Sequence, residues 1–509
     1  MPVSYRLAAN PARTDCLSMI LPEDVYEQDG IAWRLEPGQP DHANPLIEPA
    51  MPWDSGAVFS HGTVLRDPID GGWKAWIICT PMEAGHFENY RRLTYFTSKD
   101  GVHWERPLLE LCPQPGYPKT NILFDFDSGG ISMYPSVLID PNAPAQRRYE
   151  MFVMRSPGRP EGIGSPVIPG LPLGPGQRTH PFGVYRYFSA DGIRWTIAEG
   201  PLLQTATLGM RMVAPYSNPD RSADQTYVYR EPDGSYVAVH KIGEPMHPGG
   251  HVPYDIFPIG RRVLARRTSP DGSAWSPYEV VLQPDWQDPQ DLQFMEMAPL
   301  RVRGGWLGIV ACYHNLTQTI DLQLAGSPDQ RMWYRPVRLP ALPVAPLGDY
   351  GGGMIWPTHH PIEADGRVYL YYGALEGIHG DPAAGHPTLW PFHGALCRVS
   401  WAKDRYWAAA AGAGGAWTGR LMTYPLPVGG KRLAVNAATS TVAPGILKAE
   451  LVNPDGTPIP GFGLDDYVPW HGDSTRVHLR WKGGDACPRP EGAARFHLTR
   501  ARLYGFAWE

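Results

Sequence analysis

A seven-residue pattern, Ser-x-Asp-Gly-x-x-Trp, recurs along this chain and restricts its fold more than any other feature. It occurs as Ser98-Lys99-Asp100-Gly101-Val102-His103-Trp104, again from Ser189 to Trp195, and again from Ser269 to Trp275. A fourth copy, Ser327 to Trp333, has Gln330 in place of Gly, and a longer degenerate copy runs from Ser400 to Trp407. The serines are separated by 91, 80, 58 and 73 residues, as expected when loops vary around a fixed core. Asp-Gly supplies the tight turn of a β-hairpin, and the Ser and Asp side chains bond turn amides. Asp100, Asp191 and Asp271 therefore read as structural. A second repeat runs in phase with the first: strand, turn, strand, beginning near residues 60, 133, 224, 295 and 356. Two strands plus the two flanking each hairpin make a four-stranded sheet. Five in succession predict an all-β chain built as a five-bladed β-propeller.

Composition agrees. Gly and Pro number 56 each in 509 residues, a density that breaks helices and serves turns. Disorder shares that signature, but 43% of residues are hydrophobic and 57 are aromatic, more apolar surface than a disordered chain carries. After Trp407 a small-residue linker precedes a different rhythm of short strands. The expected division is an irregular N-terminal arm over 1–50, a propeller catalytic domain over 51–410, and a jelly-roll-like β-sandwich over 418–509.

A net charge of −6 gives no sign of a nucleic-acid or anionic-membrane partner. No run of 18 apolar residues suggests a transmembrane helix. The N-terminus lacks the continuous apolar stretch of a secretory signal, and the six cysteines show no paired spacing. Cytoplasmic localisation is the expectation.

The entry Asn44-Pro45-Leu46-Ile47, then Pro52-Trp53-Asp54, then the hairpins, resembles a broad bacterial group of five-bladed-propeller glycoside hydrolases. That group is related to glycoside hydrolase families 32, 43, 68, 117 and 130. The C-terminal run Leu433, Val435, Asn436, Gly445, Leu447, Asp455, Gly456, Pro458, Gly461 and Phe462 is similar to its sandwich domain. The resemblance spans roughly residues 40 to 509 and implies carbohydrate metabolism. Families 32 and 43 place carboxylates on the inner strands of the first three blades. This chain departs from that, since its second inner strand, MYPSVLI, contains none.

Topology locates the site instead. The start of a blade's first strand and the end of its second share one face, and the Ser-x-Asp-Gly turns lie on the other. Three carboxylates fall on the first face: Asp54, Asp224 and Glu296. Glycoside hydrolysis needs such a pair, one acid and one nucleophile or base. Glu296 lies in the apolar run Phe-Met-Glu-Met-Ala-Pro, an environment suited to a general acid. Alternation along the strand sets Met295 and Met297 on the side away from it. The alternative for a strand Glu is a satisfied buried ion pair, and for Asp54 and Asp224 a turn or cap residue. Asp288 and Asp291 are held in reserve.

Around the carboxylates the same face collects His61, Tyr134, Arg155, His240, His314, Trp356, His360 and Glu376 as candidates for binding sugar. No metal-ligand spacing is present, so no metal or other cofactor is expected, although the resemblance leaves room for an axial ion in the channel. The long segments 105–130, 156–182, 196–222 and 243–260 should open on this face and wall a pocket. The reading is an exo-acting hydrolase of a terminal sugar, with a family-130-like phosphorylase and a non-catalytic carbohydrate-binding propeller as alternatives. The expected partner is a carbohydrate, and a homo-oligomer is left open.

Overall fold

The computed structural model describes residues 13–81, 91–124, 133–155, 183–204, 224–245, 260–379, 393–412, 417–441 and 445–509. Among them there is no α-helix, and strands carry the whole architecture.

The strands of the larger part group into antiparallel units that begin where the second repeat predicts. Blade one comprises Ala57–Arg66, Trp73–Thr80, Arg92–Ser98 and Trp104–Glu105, and blade two Met133–Ile139, Tyr149–Arg155, Gly183–Ser189 and Thr196–Gln204. Blade three comprises Asp224–Arg230, Tyr236–Pro245, Gly260–Ser269 and Glu279–Leu282. Blade four has Leu292–Val302, Gly305–His314 and Thr319–Ser327, extended by bridges from Gly326 to Tyr334 and from Leu322 to Leu342. Blade five has Met354–Pro357, Arg367–Leu375 and Gly394–Ala402. The first strand of each unit neighbours the first strand of the next, and the fifth returns to the first, so these strands ring a central axis. That arrangement is a β-propeller.

The hairpin motif has a function beyond its turn. Within each copy the serine hydroxyl receives the amide at the glycine position, and the aspartate caps the next two amides. Gln330 holds φ of 66° in the fourth copy, the left-handed conformation that glycine adopts in the other three. The turns then dock on the preceding blade. The Tyr371 hydroxyl of blade five donates to the Gly101 carbonyl at 2.7 Å. The Trp76 indole of blade one donates to Gly192 at 2.7 Å, and Arg186 of blade two to the Asp271 carbonyl at 3.0 Å. In the fourth copy the Tyr229 hydroxyl of blade three donates to the Gln330 side chain. The repeat is thus the fastening between sheets. A residue larger than glycine at 192 would place Cβ 2.9 Å from the Trp76 ring.

The N-terminal region corrects the expected division. Residues 1–50 are not one irregular arm. Val25–Asp29 pairs with Thr418–Thr423, and Ile31–Leu35 pairs with Trp407–Ala411, so two N-terminal strands complete the two sheets of the sandwich. Gln39–Pro40 then pairs with Gly394–Ala402 as an extra strand on blade five. The degenerate fifth motif also diverges: the strand that follows it, Trp407–Ala411, leaves the blade and enters the sandwich beside Ala501–Trp508. The sandwich therefore begins at Trp407 rather than at 418, and it needs the N-terminus. Unpaired edges explain both departures, because a strand edge left open exposes a row of unmatched amides.

Candidate active site

The inner strands are irregular at one level. The pairing with the second strand slips between Phe59 and Gly62 in blade one and between Asp224 and Tyr227 in blade three. It slips again opposite Val153 in blade two, and between Phe294 and Glu296 in blade four. Such bulges insert residues that re-aim side chains, and they recur beside functional sites. Tyr134 and Gln225 within them hold φ of 53° and 49°, left-handed backbone that costs energy in a non-glycine residue. Gly62 permits the first bulge, since a Cβ there would lie 2.1 Å from the Trp76 carbonyl oxygen.

These bulges bring Glu296, His61, Tyr134 and Trp356 together. The His61 ring packs edge-on against Tyr134 at 4.5 Å and Trp356 at 4.7 Å between centroids. Its Nδ1 lies 3.6 Å from Glu296 Oε2. That contact is not an ion pair, because burial, reinforced by the charges of Arg91, Lys241 and His379, holds the imidazole well below its usual value. Tyr227 donates its hydroxyl to Glu296 Oε2 and lies 3.2 Å from the Pro357 carbonyl. Burial, then the Glu296 charge, raises the Tyr227 phenol well above its ordinary range, so it remains a donor at every working pH. His61, Tyr227 and Glu296 are all buried.

Below this cluster the axis is filled. The Ser136 hydroxyl accepts the Val228 amide at 3.0 Å and bonds His359 Nδ1 at 2.7 Å. Thr63 donates to the Pro135 carbonyl at 2.7 Å, and the His359 amide donates to Gly62 at 2.9 Å. Three inner strands and the segment that follows the fifth are thereby laced together.

Most of the remaining sequence candidates are engaged elsewhere. Asp54 is fully buried but occupied: Oδ1 accepts the Ala50 and Met51 amides at 2.8 and 2.7 Å, and Oδ2 accepts Arg106 at 3.0 Å. It closes a turn and pairs with Arg106. Asp224 opens its strand opposite Lys241, and its side chain lies outside what is described. His240 is buried with neither ring nitrogen hydrogen-bonded among the described residues, and burial beside Arg267 lowers it to about 3. Arg155 lies on the Phe124 ring at 4.0 Å and donates to the Tyr187 hydroxyl at 3.3 Å. His314 bonds Asp321 at 2.9 Å, and Glu376 lies 3.5 Å from His393. His360 lies toward the opposite side of the propeller, among the residues that line a cavity there. Of the reserve acids, Asp288 is held by Arg335 and Arg338, and Asp291 accepts the Leu316 amide at 3.1 Å. The pocket-walling segments 156–182, 205–222 and 246–259 lie outside the described residues.

One member of the cluster was missed from sequence, Tyr227. Strict alternation from Asp224 places residues 226 and 228 on its side and Tyr227 on the other; the bulge at Gln225 and Thr226 breaks that count. The same effect separates the two methionines, since Met295 packs in the main propeller core and Met297 in the core between blades three and four. No three His, Cys, Asp or Glu side chains converge as a metal site among the described residues.

No protein-family model and no curated protein matches this chain. Among solved structures it is similar to one described as a glycoside hydrolase, with a TM-score of 0.45 and 11% identity over 72% of this chain and 92% of that one. It is similar to an N-acetylgalactosamine deacetylase from F. plautii, at 0.44 and 16% over 74% and 96%. A structure titled for the family-130 mannoside phosphorylases, which contain glycoside hydrolases that target β-1,2 mannosidic linkages in Candida mannan, scores 0.42 at 14% over 72% and 94%.

Proposed function

We propose that the protein is a glycoside hydrolase that acts on a terminal sugar, with Glu296 as its general acid. One observation carries the reading: the buried Glu296 carboxyl stands beside His61 and the Tyr227 hydroxyl, with Trp356 packed on His61, at the bulged start of the inner strands. A buried carboxyl oriented by a fixed donor is placed to protonate a departing glycosidic oxygen. His61, neutral through burial, contributes a ring nitrogen for hydrogen bonding rather than a charge. Trp356 and Tyr134 add aromatic surface against which a sugar ring can pack. The second carboxylate that hydrolysis needs is assigned to Asp224, whose backbone starts the neighbouring inner strand.

Glu296→Gln should lower hydrolysis of substrates with poor leaving groups by ~10²–10⁴-fold, with far less effect on activated aryl glycosides. Equal loss for both substrate types would remove Glu296 from the acid role. A phosphorolytic reading has one observation in its favour: the charges of Arg91 and Lys241 act directly on His61. Turnover that depends on added inorganic phosphate would establish it in place of hydrolysis.

A further inference from the structure

On the face opposite Glu296, the inner strands of blades one, two and three end around a cavity of about 780 Å³. Five guanidinium groups line it, from Arg66, Arg147, Arg148, Arg186 and Arg230, together with the Phe188 ring. Three carboxylates also line it, and each is already engaged. Glu150 accepts Arg186 Nε at 2.6 Å, and Asp140 accepts Arg230 at 2.8 Å. Asp271 Oδ1 accepts the Ser273 and Ala274 amides of its own hairpin at 2.8 and 3.0 Å.

Arg66, Arg147 and Arg148 are left without a carboxylate among the described residues. Arg66 Nε reaches only the Gly71 carbonyl, at 3.3 Å. Arg147 lies over Phe188, its Cζ 4.1 Å from the ring centroid, with no carboxylate partner among the described residues. Arg148 Nε is shielded from solvent and has no hydrogen-bond partner among the described residues. Three uncompensated guanidiniums around one concavity repel each other, in a chain whose net charge is −6. A shielded donor without an acceptor adds a further cost. Both penalties vanish when an anion with several acceptor oxygens enters, and the planar fork of arginine matches a phosphoryl group. A monocarboxylate would satisfy one fork and leave two. The concave shape favours a small molecule over a nucleic acid, whose backbone needs a long basic surface.

We propose that this cavity is a binding site for a phosphoryl dianion, separate from the Glu296 cluster, with Arg66, Arg147 and Arg148 as its ligands. Isothermal titration with glucose 6-phosphate, inorganic phosphate and unphosphorylated glucose tests it. Both phosphates should bind saturably and glucose should not; tighter binding of the hexose phosphate would assign the site to a sugar phosphate, and equal affinities to the free ion. The Arg147→Gln, Arg148→Gln double variant should weaken phosphate binding ~10-fold or more, as should Arg66→Gln alone, a change at an exposed position. Glu296→Gln should bind as the unaltered protein does. Absence of saturable phosphate binding, equal binding of glucose, affinity unmoved by the arginine variants, or loss of binding in Glu296→Gln would each overturn the proposal.

Discussion

The hydroxyl of Tyr227 decides how Glu296 behaves. It is a permanent donor, because burial and the neighbouring carboxyl keep its proton in place, and its bond goes to the oxygen that also faces His61. A hydrogen bond to a carboxylate favours the charged form, so removing the donor makes that carboxyl harder to ionise. Tyr227→Phe should therefore move the alkaline limb of the kcat/KM profile upward by about 1–2 pH units, the size expected from a charged hydrogen bond. A pH–rate series on both proteins checks this, and an unmoved limb would show that the acid is not Glu296. His61 should supply no limb near pH 6–7, since its charged form is suppressed by burial and by Arg91, Lys241 and His379.

At the scale of the element, the repeated hairpin joins two roles that mutation can separate. Asp191 caps two amides of its turn, at 2.8 Å each, and these bonds with that of Ser189 outweigh its partial burial and hold its carboxyl below the ordinary value. A group so lowered contributes stability above its unfolded pKa, and that contribution is lost as pH falls through the folded one. Asp191→Ala should cost ~0.5–1.5 kcal/mol at neutral pH and progressively less in acid. Gly192→Ala should cost more, roughly 2–4 kcal/mol, because it adds left-handed strain and a clash with Trp76 to the loss of a blade-to-blade contact. Neither change touches the Glu296 cluster, so turnover in the folded fraction should stay constant. Denaturant unfolding followed by activity assays measures both. A larger loss for Asp191→Ala than for Gly192→Ala would place the value of the motif in its turn, not in its docking.

At the scale of the whole molecule, the N-terminal segment ties both cores together. Cys16 and Ile20 are buried in the sandwich core, and Met19 and Leu21 in the propeller core, within a span of six residues. The Trp407 indole donates to the Ile20 carbonyl at 2.6 Å, and Asn436 of the sandwich donates to the carbonyls of Leu17 and Asp404 at 3.1 and 2.9 Å. The two parts should therefore unfold together. A single transition in calorimetry, coincident by tryptophan fluorescence and far-ultraviolet dichroism, is the expected result; two resolved transitions would show independent folding. Removing residues 1–36 should destabilise both parts, because it strips an edge strand from each sandwich sheet.

How much of this was legible beforehand depends on the range of the interaction. Strand positions, hairpin turns and the structural role of Asp100, Asp191 and Asp271 follow from local chemistry: alternation, Asp-Gly turns and a hydroxyl within reach of its own amides. Glu296, His61, Tyr134 and Trp356 could be placed on one face because strand direction alone selects it. The rest was decided by contacts between residues far apart in the chain. Asp54 is paired by Arg106, a partner distant in sequence that no local pattern announces. Tyr227 was hidden because a bulge, set by packing around the central axis, shifts the parity of its strand. The N-terminal strands carry no signal of their partners, since edge pairing is satisfied by backbone amides that every sequence possesses. Local rules determined which segments became strands and how they turn; only closure of the ring and of the sandwich decided which edges met and which side chains converged.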